Sequence, residues 1–170
     1  EINGVKTSYE GIDTDNSKRT VNYDANGNVL NDVQVNSNGD TLENQYTYNE
    51  SGELVKKTQQ NNGNTIIDRD GSNGEVTSSK TVHDDGSSVT YSYENGVKTA
   101  YTEQDGNGNM TRYEYDENGN QTRDIITNGD GTYRVREMTD GTVSNAYKLL
   151  QDGQEVGLHY DSNGNTYDDL

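Results

Sequence analysis

The chain has 170 residues, with 30 acidic and 13 basic side chains for a formal net charge of −17. It contains no Cys, which excludes a disulfide framework, a thiolate metal site and a cysteine nucleophile, and it also lacks Pro, Phe and Trp. A surface this acidic repels phosphate, and the six Arg and seven Lys are dispersed, so nucleic acid is not an expected partner.

Sparse aliphatic content with a large net charge is the composition of disordered proteins. Against disorder stand the 13 Tyr, which add amphipathic aromatic area, and the regular spacing of the apolar residues. No run of Ala, Val, Ile, Leu, Met or Tyr exceeds two residues, as at Ile66-Ile67, Ile125-Ile126 and Leu149-Leu150. Such runs cannot form a transmembrane helix or a signal h-region, so membrane insertion is not expected. The chain opens at Glu1 without Met and both ends fall inside a repeating pattern, which reads as a fragment of a longer protein.

Glycines mark the turns in sequence order: Gly27, Gly39, Gly52, Gly63, Gly74, Gly86, Gly96, Gly108, Gly119, Gly131, Gly141, Gly153 and Gly164. The spacing is about eleven residues, and many follow Asn, as in Asn26-Gly27, Asn62-Gly63, Asn95-Gly96 and Asn118-Gly119, pairs that accept the positive φ angles of hairpin turns. Between turns, apolar and polar residues alternate. Val29, Val33 and Val35 share one face by this count, as do Leu42, Tyr46 and Tyr48; Val89, Tyr91 and Tyr93; Tyr113 and Tyr115; and Val156, Leu158 and Tyr160. The opposite faces, such as Asp32 and Gln34 or Arg112 and Glu114, are polar, so one buried and one wet face is expected.

Every second turn carries a related signature, making the unit a hairpin of 22–25 residues. It reads Tyr23-Asp24-Ala25-Asn26-Gly27-Asn28, Tyr48-Asn49-Glu50-Ser51-Gly52-Glu53, Tyr93-Glu94-Asn95-Gly96, Tyr115-Asp116-Glu117-Asn118-Gly119-Asn120 and Tyr160-Asp161-Ser162-Asn163-Gly164-Asn165. These segments resemble the YD-repeat (Rhs-type) family, and Arg112–Thr122 matches every fixed position of that unit. The resemblance is weak at 60–86, where the signature Tyr is missing. A lesser resemblance is to cell-wall-binding and glucan-binding hairpin repeats, whose reliance on Trp this sequence does not share.

The expected fold is therefore all-β, an antiparallel meander of about 12–14 short strands. Open sheets seldom exceed about ten strands without curling, so it should coil as an open β-solenoid, roll or shell-wall segment, the last favoured by the YD resemblance. Residues 1–170 read as one repetitive domain, with 1–20 an irregular N-terminal repeat and 21–170 the YD-like hairpins.

Chemistry-bearing residues are few. His83 and His159 have no metal-spaced or triad-like partner and read as solvated turn histidines. Calcium is the one cofactor considered, because Asx-rich turns supply hard oxygens; the candidate ligands are Asp68, Asp70 and Glu75 in one turn region and Asn128 and Asp130 in another, with ordinary structural turns as the alternative. Tyr46, Tyr48, Tyr91, Tyr93, Tyr113 and Tyr115 form a ladder that is core if covered and a row of stacking platforms for polysaccharide if open. Tyr101, Tyr133, Tyr147 and Tyr167 fall off that ladder and are secondary candidates.

The functional expectation is a non-enzymatic module of an extracellular bacterial surface or secreted protein, acting as spacer, scaffold or adhesive segment. Its partners would be neighbouring repeats of the same polypeptide, with polysaccharide or a cell-surface partner beyond them. The alternatives are a carbohydrate-binding repeat array and, from the YD resemblance, a shell fragment of a toxin-delivery protein.

Overall fold

Short alternating segments closed by Asx-Gly turns have room for strands and none for a three-turn helix. The computed structural model describes residues 6–160 and 166–168. Among them every regular element is a strand, and no helix is long and apolar enough to cross a membrane. The polypeptide divides into two compact units, residues 1–81 and 82–170.

The first unit holds β1 (Ser8–Ile12), β2 (Lys18–Tyr23), β3 (Val29–Val35), β4 (Thr41–Tyr48), β5 (Leu54–Asn61), β6 (Thr65–Asp70) and β7 (Val76–Val82). The second holds β8 (Ser88–Glu94), β9 (Val97–Gln104), β10 (Met110–Tyr115), β11 (Gln121–Thr127), β12 (Tyr133–Thr139), β13 (Thr142–Leu149), β14 (Glu155–Tyr160) and the three-residue β15 (Thr166–Asp168). Within each unit every strand pairs antiparallel with its sequence neighbour. Each is thus an open meander of the kind expected, and no pairing among the described residues closes it into a barrel.

Two turn designs recur along the sequence, and the six-residue Asp70–Glu75 turn stands apart from both. The longer is a five-residue loop such as Asp116–Asn120, in which Asp116 N–H donates to Asn120 O at 2.9 Å and Gly119 N–H to Asp116 O at 3.0 Å. Asp116 Oδ1 accepts the backbone N–H groups of Asn118 and Asn120, while Asn120 Nδ2 donates to Asp116 Oδ2. Gly119 stands at φ 83°, the left-handed residue that a type I turn with a G1 bulge requires. The same bonds recur in Asp24–Asn28 and Asp105–Asn109, and with the acid and amide exchanged in Asn36–Asp40 and Asn49–Glu53. This is the physical content of the Asp-x-x-Gly-Asn signature. The shorter design is a two-residue turn, as at Asn95-Gly96 with φ 51° and 77°, the type I′ geometry. Between β1 and β2 the left-handed position belongs to Asn16, at φ 65°, so that turn carries no glycine mark.

A β-bulge accompanies four of the five signature tyrosines; the fifth, Tyr160, pairs with Thr166 without a shift. The register shifts at Asn22/Tyr23, Thr47/Tyr48, Ser92/Tyr93 and Glu114/Tyr115, and the facing strand carries one extra residue: Leu30, Val55, Thr99 and Thr122 respectively. The same shift occurs at Asp68/Arg69 and Glu137/Met138. Arg69 and Met138 thus stand where the tyrosine is missing from the sequence pattern. Tyr48 links two repeats, its hydroxyl donating to Val29 O at 2.9 Å.

Burial departs from the alternation. In the first unit Val21, Asp32 and Asn44 are the buried residues, directly opposite one another across β2, β3 and β4. Asp32, expected on the wet face, is held there by Arg19 through Nε at 2.9 Å and Nη2 at 2.7 Å. Val33 and Val35 on the other face are only half-buried, and the bulge at Leu30 moves Val29 to the Asp32 face. In the second unit Asp124, Ala146 and Leu158 are buried on one face, and Ser88, Ala100 and Val135 on the other. Within each unit no second layer of described residues favours either face, so a residue is buried where its neighbours in the sheet lie over it. Asp124 is 1 % exposed and accepts from Arg136 Nε at 3.0 Å and Nη2 at 2.5 Å.

Two measurements check this account. The carboxyls of Asp24, Asp105 and Asp116 lie below their ordinary value of 3.8, chiefly because Asn28, Asn109 and Asn120 donate to them. A depressed folded value means that the stabilisation is complete above 3.8 and is lost as pH falls through the folded values. The triple Asp24→Asn, Asp105→Asn, Asp116→Asn variant should melt lower than the parent at neutral pH and lose less on acidification, and a parallel decline in the two proteins would refute the assignment. Asp124→Ala should cost about 2–4 kcal/mol in urea unfolding. Asp32→Ala should cost less, because Arg19 is 55 % exposed against 31 % for Arg136.

Candidate ligand-binding face

The bulge at Tyr93 decides which aromatic side chains meet. Counted from the two-residue turn alone, Tyr91 would face Ala100; the extra residue, Thr99, moves the register by one and sets Tyr91 opposite Tyr101. Tyr101 in turn pairs with Tyr113, and the row continues through Asp124, Arg136 and Ala146. The rings of Tyr91 and Tyr101 are 5.2 Å apart and tilted by 51°; those of Tyr101 and Tyr113 are 6.1 Å apart and stacked within 25°. Tyr101 and Tyr113 are half-buried, and Tyr91 is 37 % exposed. Tyr101, counted off the ladder from the sequence, is the centre of this row. The signal that could have found it is the Asn95-Gly96 turn combined with the bulge that follows a signature tyrosine.

The remaining ladder tyrosines do not join the row. Tyr93 pairs with Lys98, whose Nζ lies 4.4 Å from the Tyr115 ring centroid, a cation–π contact. Tyr46 has Lys57 Nζ at 5.7 Å from its ring, and Tyr48 is engaged at the Val29 bulge. All four are half-buried. Tyr133 and Tyr147 meet edge-on at 6.4 Å on the opposite face of the second unit, where Arg123 Nη2 donates to the Tyr147 hydroxyl at 3.0 Å. A second aromatic pair, Tyr9 and Tyr23 in the first unit, flanks Lys6, whose Nζ is 4.6 and 5.9 Å from the two ring centroids. The Tyr167 side group and the signature turn at 161–165 lie outside the described residues.

The electrostatics of the tyrosine row centre on Tyr101. Its hydroxyl donates to Glu103 Oε1, and that bond, with burial and the nearby Glu103 charge, pushes its pKa up to about 12. The phenol is therefore a neutral donor already committed to a carboxylate. The row leaves a partly exposed aromatic surface.

Of the carboxylates considered for calcium, Asp68, Asp70 and Asp130 accept protein hydrogen bonds. Asp68 lies in β6, outside the turn; burial pushes its carboxyl up, but bonds from Thr58, Lys56 and Ser78 outweigh that and hold it below its ordinary range. Asp70 accepts from Ser72 N–H at 2.7 Å, and Glu75 is exposed on the same turn. Asn128 opens a five-residue turn, where its Nδ2 donates to Thr132 Oγ1 at 2.8 Å. Asp130 accepts from Gln151 Nε2 at 2.8 Å and from the backbone N–H and hydroxyl of Thr132, which lower its pKa to about 2. No three His, Asp or Glu side groups converge as a metal site among the described residues. His83 is an exposed turn residue and His159 is exposed in β14.

Asp130 belongs instead to a stack of turns at one end of the second unit. Gln151 reaches it from the next turn, Gly129 N–H donates to Asn109 Oδ1 at 3.0 Å, and a Cβ added at Gly106 or Gly129 would lie 2.5 or 2.7 Å from Asp85 O or Asn107 O. These glycines let one turn rest on the backbone of the one before.

No protein-family model matches this sequence, and no curated protein matches it either.

An ultraviolet titration should find one tyrosine with a midpoint near 12, and Glu103→Gln should return it toward 10.0. A high midpoint that survives Glu103→Gln would mean that burial, not the Glu103 bond, holds the phenol.

Proposed function

We propose that this protein is a non-enzymatic repeat module of the YD type, serving as spacer or scaffold in an extracellular bacterial surface or secreted protein, with neighbouring repeats of the same polypeptide as its partners. The observation that carries the reading is the recurrence of one hairpin design: a signature position opposite a bulge, at Tyr23, Tyr48, Arg69, Tyr93, Tyr115 and Met138. At Tyr23, Tyr48 and Tyr115 the next residue opens a self-satisfied Asx turn. Each hairpin uses its polar groups on itself and on the next, which gives a linear repeat stability summed over neighbours and extendable in length. A net charge of −17 keeps such a surface solvated and discourages pairing at low ionic strength.

A second reading, a carbohydrate-binding array, is favoured by one observation: the Tyr91, Tyr101 and Tyr113 rings form a continuous partly exposed strip. Affinity electrophoresis in gels containing soluble β-glucan, dextran or solubilised peptidoglycan separates the two. The spacer reading expects unchanged mobility in all three. Retardation that is lost in a Tyr91→Ala, Tyr101→Ala, Tyr113→Ala variant with an unchanged circular dichroism spectrum would replace it with the binding reading.

A further inference from the structure

Asn-Gly pairs are chemically labile. The backbone nitrogen of Gly attacks the carboxamide carbon of Asn, so a new C–N bond forms; the bond from that carbon to Nδ2 breaks, and ammonia leaves with the proton from the Gly amide. Water then opens the cyclic imide to aspartate or isoaspartate; no oxidant or reductant is involved. The reaction needs a Gly N–H free to give up its proton and an Asn carboxamide free to rotate onto it. Eight such pairs lie among the described residues, and the hydrogen bonds separate them. In five of them, Asn26-Gly27, Asn38-Gly39, Asn73-Gly74, Asn107-Gly108 and Asn118-Gly119, the Gly N–H donates to the carbonyl of the residue that opens the turn, at 2.9–3.2 Å. At Asn128-Gly129 the Gly N–H donates to Asn109 Oδ1. At Asn62-Gly63 the Asn carboxamide is the part that is held, accepting from Thr41 N–H at 2.7 Å and donating to Asp40 Oδ1 at 3.3 Å.

Only Asn95-Gly96 has neither restraint among the described residues: both are exposed, and a Cβ at Gly96 would meet nothing within 4 Å. We infer that Asn95 is a spontaneous deamidation site, converting ahead of the other described Asn-Gly pairs because its turn alone leaves the nucleophile and the electrophile both free. The product adds a negative charge next to Glu94 in the sequence and, as isoaspartate, an extra backbone atom to the two-residue turn that joins the strands carrying Tyr91 and Tyr101. The test is to incubate the folded protein in mildly alkaline buffer, digest it and follow the one-dalton gain and isoaspartate content at each pair by mass spectrometry. A parallel sample in urea gives the rates with all turns released. Breaking one ordinary hydrogen bond slows attack by about three- to tenfold. Asn95 should therefore convert at least about threefold faster than every other described pair in the folded protein, and that lead should vanish in urea. Equal rates in the folded protein, a faster rate at any other described pair, or a lead for Asn95 that persists in urea would each overturn the assignment.

Discussion

A sheet with no second layer against it has little apolar area to remove from water, so its register must be set at the strand ends. That constraint explains where the specific bonds of this protein are found. The five-residue turns satisfy their own backbone N–H groups with the carboxylate or amide that opens them, and the bulges fix how far each strand is displaced against its neighbour. The fully buried side chains follow the same order of importance. The most deeply buried side chain larger than that of Ala is Asp124, a charge held by Arg136, and the buried apolar ones are single Val, Ala and Leu residues.

Much of the architecture was legible because turn chemistry is local. Asx-Gly pairs at a spacing of about eleven residues state both that a hairpin is present and roughly how long its strands are. What alternation could not show was the face of each residue after a bulge, since one extra residue reverses the count. Val29 changed faces for that reason, and Tyr101 entered the tyrosine row for the same reason. Alternation also assumes that apolar means buried, which holds when a second layer exists to select a face. Asp32 was placed in water by that assumption; the Arg19 partner that makes its burial tolerable lies 13 residues away on another strand. The turn between β1 and β2 escaped notice because Asn16 performs the task usually given to glycine.

The missing tyrosines at 69 and 138 separate the two meanings of the signature. If the aromatic ring were required for the bulge, the register would run straight where it is absent; it shifts there all the same. The bulge therefore does not depend on the aromatic ring, and it occurs beside five-residue and two-residue turns alike. The aromatic strip is built by other tyrosines, Tyr91, Tyr101 and Tyr113, which fall opposite one another in consecutive strands, while among the signature rings Tyr23 and Tyr115 each lie under a lysine. Any recognition by this protein is thus a property of particular repeats laid over a common frame.

The stacked turns of the second unit bear on how such an array lengthens. Gly106 and Gly129 each take the second place of their turn and rest on a carbonyl of the turn before, while the first turn of the stack, His83–Ser87, has Asp84 in that place. A duplicated hairpin brings its own glycine and its own carbonyl, so it docks on its parent with no compensating change elsewhere. Gene duplication can therefore extend the array by whole hairpins, whereas inserting a single residue into one of these turns would disturb both of its neighbours.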